Sequence, residues 1–176
     1  SFPLLKDMNA FVLSCGAIPT IAWLDGCSAG EADPAELIRL HKSCGAAAIN
    51  IIPDRNWNFK DPEVKKKKVL ELNRIIEESV KNDFPIFVGT EMNAPGQKLI
   101  DDFSSDALAP HMNEFVKGAA ILFAHTLLQP KGMGYLSKWA ADTFKSVKEK
   151  NLFFEKVGNS ATPASAAKLK NIDGTS

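Results

Sequence analysis

Net charge, disulfide chemistry and long apolar runs are all scarce in this sequence, and each shortage narrows the function. Lys and Arg number 21 against 21 Asp and Glu, so the formal charge is zero. That balance carries no electrostatic signature of a nucleic-acid or membrane-surface binder. The three cysteines, Cys15, Cys27 and Cys44, are odd in number and show no C-x-x-C spacing. They argue against a disulfide framework and for a reducing, cytoplasmic setting. No run is apolar and long enough to cross a membrane, and the first residues lack the shape of a signal peptide. A phosphate-binding P-loop, G-x-S-x-G, H-E-x-x-H and a strand-borne G-x-G-x-x-G are all missing as well. The one basic run, Lys65 to Lys68, lies inside a helical pattern and is expected to be a solvated helix face.

What remains is a chain of 176 residues, 45% hydrophobic and 24% charged, enough for one domain with a core. Residues 4–14 carry apolar side chains at helical spacing, with Gly16 as the stop. Four apolar runs follow, at 18–24, 46–52, 84–88 and 119–124, each expected to be a buried strand. Between them, Asp33-Pro34-Ala35-Glu36 and Asp61-Pro62-Glu63 open helices with a carboxylate cap and Pro at the first position. A further helix is expected through Leu136, Trp139, Phe144 and Val147. Four βα units call for a parallel sheet. They fit the C-terminal half of a (β/α)8 TIM barrel or, alternatively, a small doubly wound sheet. The α/β domain would span 1–157, with 158–176 an extended tail of Ser, Ala, Thr and Lys. The chain opens at Ser1 in a helical pattern and without Met, so a preceding half-barrel is expected, or else a homo-oligomer.

Each apolar run ends in polar residues, which is where α/β proteins place their ligands. The sharpest of these lies after the third run, in Gly89-Thr90-Glu91-Met92-Asn93. Glu91 and His125 could share a divalent ion (Zn, Mn or Mg) or act as acid and base, with Asp25 and Asp54 adding oxygen ligands. Asp25 equally suits a turn with Gly26, and His125 a satisfied buried position. In Pro53 to Asn58, Arg55 could clamp an anion and Trp57 offer a flat face, or Asp54 could pair with Arg55 while Trp57 packs. Asn93 and Lys98 are candidate substrate contacts, although Lys98 also suits a helix pair with Asp102. Gly132 and Gly134, ahead of a helix, could bind an anion through backbone N–H groups.

The strings WLDGCSAGE, NIIPDRNWN, VGTEMNAPGQKLIDDF and LFAHT resemble the C-terminal half of a group of TIM-barrel proteins related to metal-dependent hydrolases. Amidohydrolase and PHP-like enzymes belong to that neighbourhood, as does uronate isomerase. The resemblance covers roughly 18–157. It implies a metal-assisted hydrolase or sugar-acid isomerase acting on a polar or anionic small molecule, with the site at the barrel mouth. The chain departs from that pattern in lacking the H-x-H of a first barrel strand and an Asp after the last one, where His125-Thr126 stands.

Overall fold

The structure is a computed structural model that describes residues 2–92, 95, 99–162, 164 and 165. Helix α1 (Leu5–Ser14) leads into strand β1 (Thr20–Trp23), helix α2 (Pro34–Ser43) and strand β2 (Ala48–Ile51). A one-turn helix α3 (Asp54–Trp57) and the long α4 (Pro62–Lys81) then precede β3 (Ile86–Val88). Helices α5 (Met112–Leu128), α6 (Lys138–Thr143) and α7 (Val147–Ser160) complete the described chain. Both Asp-Pro openings form as their chemistry requires. Asp33 accepts from the Ala35 and Glu36 N–H groups at 3.0 and 3.1 Å, and Asp61 from Glu63 and Val64 at 2.9 and 3.2 Å.

The sheet is parallel in the order β1-β2-β3, with Ala22 opposite Asn50 and Asn50 opposite Phe87. Alternation sends Ile21, Trp23, Ile49, Ile51 and Ile86 to one face. There they share a core with Leu37 and Ile38 of α2 and Leu72, Ile75 and Ile76 of α4. Both crossover helices therefore cover the same face, the outcome of right-handed connections that keep advancing in one direction. On the other face Ala48 and Phe87 meet Ile121, Ala124 and Leu128 of α5, with Phe154 of α7 behind.

The fourth strand expected at 119–124 is absent: that run lies inside the seventeen-residue helix α5. A short apolar run cannot by itself be told from a buried helix segment, and Ala119, Ala120, Leu122 and Ala124 are strong helix formers. Three strands stand among the described residues, so α/β holds and four βα units do not. Helix α5 takes the place a fourth strand would need. The Ile49 N–H donates to Pro85 O and the Gly89 N–H to Ile51 O, so β3 turns these groups toward β2 and the Ile86 carbonyl outward. A Cβ built on Gly118 would lie 1.7 Å from that carbonyl oxygen. The helix thus crosses the outer edge of β3 in backbone contact, and only glycine allows it. The helix expected through 136–147 also divides, because Ser146 caps a new one by accepting from the Glu149 N–H at 3.1 Å.

Candidate functional site

The carboxyl ends of the three strands meet in a cluster of charges. Asp25 follows β1, and its Oδ1 accepts from the Cys27 N–H at 2.9 Å while its Oδ2 lies 2.5 Å from Lys68 Nζ of α4. Burial works against ionisation of Asp25, but Lys68 and the Cys27 N–H outweigh it and hold the carboxyl below its usual value. Lys68 is likewise raised against the pull of burial, by Asp25 and the Cys27 thiol. Arg55 follows β2, and its Nε donates to Glu91 Oε2, just past β3. The Glu91 hydrogen bond raises Arg55 above its ordinary pKa, and the charge of Asp25 adds to the effect. One electrostatic unit therefore spans all three strand ends.

Buried polar groups brace this end. Glu31 reaches back to the turn after β1, its Oε1 accepting from the Leu24 N–H at 2.7 Å and its Oε2 from the Gly26 N–H at 3.3 Å. Asn56, fully buried, donates to Leu24 O and Ile52 O, each at 3.1 Å, and so ties the end of β1 to that of β2. Trp23 Nε1 and Asn56 Oδ1 are buried with no hydrogen-bond partner among the described residues. Each such atom costs roughly 1–3 kcal/mol.

Several expected site residues stand elsewhere. His125 is on α5, at the opposite end of the sheet. Its Nδ1 accepts from the Tyr135 N–H at 3.0 Å, which leaves Nε2 to donate to Gly16 O, also at 3.0 Å, ahead of β1. Burial lowers its pKa despite the Gly16 carbonyl. With both nitrogens engaged in a neutral ring, His125 has no lone pair for a metal and no route to Glu91. Trp57 offers no open face either: it is buried and donates from Nε1 to the buried Asp101 at 3.0 Å. Asp54 accepts from Asn58 at 2.8 Å within its own turn, rather than pairing with Arg55. Gly132, at φ +71°, turns the chain after α5, and a Cβ on Gly134 would collide with Gln129 Oε1 at 1.8 Å. Gly134 thus lets the loop close on Gln129 and His125, and the α6 helix after it has only six residues, with Ser137 capping it. Asn93 and Lys98 lie outside the described residues.

Among the described residues no three His, Cys, Asp or Glu side chains converge as a metal would require. Asp25 and Glu91, the expected oxygen ligands, each face a cation instead. Two participants were missed in the sequence. Lys68 stands one turn before Leu72 on the inward stripe of α4, and that spacing separates it from the solvated lysines beside it. Glu31 gives no periodic signal. No protein-family model matches the chain, and comparison with curated proteins and with solved structures gave no match either.

Proposed function

We propose that this chain receives a polar small molecule, through an anionic group, at the carboxyl ends of β1, β2 and β3. The observation that carries this reading is the ion pair between Arg55 and Glu91. It joins two adjacent strand ends, with the Arg55 side chain 38% exposed and that of Glu91 22% exposed. A guanidinium binds carboxylate and phosphate through a planar fork, and a ligand anion can exchange with Glu91 for it. The Glu91 carboxylate so released would lie beside the ligand as a general base, the role required in hydrolase or sugar-acid isomerase chemistry. Lys68 and Asp25 complete the charge balance alongside. No step is assigned to a metal ion.

The strand order supports kinship with a barrel segment, and the second face does not. An order of 1-2-3 with both crossover helices on one face is how a (β/α)8 barrel winds, but α5 and α7 lie on the other face, where a barrel would have its interior. Because α5 covers the edge of β3, any continuation of the sheet would have to pass through β1.

Calorimetric titration with hydroxycarboxylates and sugar phosphates tests the site. Binding by the native chain that falls at least tenfold in Arg55→Ala is expected, a loss of about 1.4 kcal/mol. Glu91→Gln should keep binding and lose any turnover. Equal affinity in Arg55→Ala would remove Arg55 from the site and sink the reading.

A further inference from the structure

Among the described residues stand two uncovered apolar surfaces of opposite shape. The first is α1, a convex helix in which Asn9 is the one buried residue. Leu4 is 71% exposed and Phe11 61%, and Leu5, Met8 and Leu13 are exposed beside them. The second is a trough on the second face of the sheet, where Ile18 and Phe87 form the floor and Ala119, Leu122, Phe123 and Thr126 the wall. Its two sections, of about 470 and 330 Å³, share Phe87, Leu122 and Thr126 and so run together. Among the described residues no Lys, Arg, Asp or Glu lines either section.

Helix α5 shows why this face needs cover. From Gly118 to Leu128 it has no Lys, Arg, Asp or Glu, and it is apolar on its outer side (Ala119, Leu122, Phe123) as well as its inner one. A helix apolar all round belongs in an interior. The chain's own α1 is docked elsewhere, where Asn9 donates to Cys44 O at the end of α2 at 3.0 Å. We infer that a second copy of this chain fills the trough, each copy laying its α1 into the trough of the other. A two-fold axis requires that a surface and its complement both be present on one chain, and here they are. A second copy supplies the complement of both surfaces at once. Area agrees. At 36–71% exposure, Leu4, Leu5, Met8, Phe11 and Leu13 each present on the order of 50–150 Å², several hundred Å² together. Reciprocal docking doubles this and reaches the ~800 Å² per partner of a stable dimer.

Sedimentation velocity of the full 176-residue chain, at about 1–100 µM, reads the state directly. A species of twice 19.2 kDa is expected. Phe11→Asp on the helix and Phe123→Asp in the trough should each weaken dimerisation at least about 30-fold, the scale of a central contact. Both side chains are exposed in the single chain, so circular dichroism should show both variants folded. Leu4→Lys is the substitute on the helix should Phe11→Asp not fold. Mixing the two Asp variants restores one intact helix–trough contact, so heterodimers should appear where neither variant dimerises alone. A monomer at every concentration would overturn the inference, as would a dimer indifferent to Phe123→Asp, which points to α1 packing on α1. Failure here leaves the anion site untouched, since Arg55 and Glu91 lie at the strand ends and not in the trough.

Discussion

The two ends of the sheet solve the same problem with different chemistry. At the carboxyl ends, polar groups are charged and partly exposed, in the Asp25–Lys68 and Arg55–Glu91 pairs, and two buried atoms nearby are unsatisfied. At the amino ends the hydrogen-bonding side chains are neutral and matched, although Lys150 lies 4.0 Å over the Tyr135 ring and Asp83 is close by. The Tyr135 N–H bonds His125, its hydroxyl donates to Asn151 Oδ1 at 2.5 Å, and Asn151 Nδ2 donates to Asp83 O at 2.8 Å. Burial raises the Tyr135 pKa and keeps the ring in its donor form, with a smaller contribution from the charge of Asp83. Neutral hydrogen bonds in a dry site stabilise, while half-exposed ion pairs contribute little and remain exchangeable. Stability thus concentrates at the amino ends, and exchangeable charge at the carboxyl ends. This division explains why a histidine that looks catalytic in the sequence is structural.

The largest effect should come from the contact that fastens α5 to the sheet. In an exposed helix, Gly→Ala gains about 1 kcal/mol. At Gly118 the new methyl would overlap Ile86 O, so Gly118→Ala should instead lose more than about 3 kcal/mol or fail to fold. Gly30, in the turn after β1 where a Cβ meets nothing within 4 Å, is the control for an added methyl without overlap. Denaturant melts of the two variants decide the matter. Equal stabilities would mean that α5 does not ride on the β3 edge.

Next is His125. His125→Ala strands the Tyr135 N–H and Gly16 O and should cost about 2 kcal/mol in urea unfolding. The same residue sets a pH dependence. Burial lowers His125 below 6.5, and does the same to His41 and His111, the latter against the charges of Glu77 and Glu114. The unfolded chain gains protons as pH falls through 6.5 while the folded chain resists. Stability should therefore be intact above that pH and decline below it, with a shallower decline in His125→Ala. A melting temperature flat from neutral to mildly acid pH would contradict this.

How far the sequence revealed all this depends on how local each determinant is. Asp33-Pro34 and Asp61-Pro62 start their helices within one turn of chain, so both helices were legible. The three strand ends were legible too, because an apolar run that breaks into polar residues is read along the chain. The fourth strand was not, for its identity depends on Gly118 meeting Ile86 across 32 residues of separation. The role of His125 turns on Gly16, 109 positions away, and the cation for Glu91 comes from 36 positions upstream. Ser146-Val147-Lys148-Glu149 was a readable capping box, overlooked because the apolar spacing around it looked continuous.

The smallest effect on stability, and the one that most sharpens the contrast, belongs to the carboxyl-end ion pair. Arg55 and Glu91 are partly solvated, so screening and side-chain entropy hold the net worth of their pair to about 0–1 kcal/mol. Glu91→Gln keeps the shape and an oxygen acceptor for Arg55 while removing the charge. Its unfolding midpoint should move by less than about 0.5 kcal/mol equivalent, while the pair's salt sensitivity disappears. A large destabilisation would mean that the pair holds the strand ends together as His125 holds the other end. The carboxyl ends would then be framework, and Arg55 could not release Glu91 to a ligand without loosening the fold.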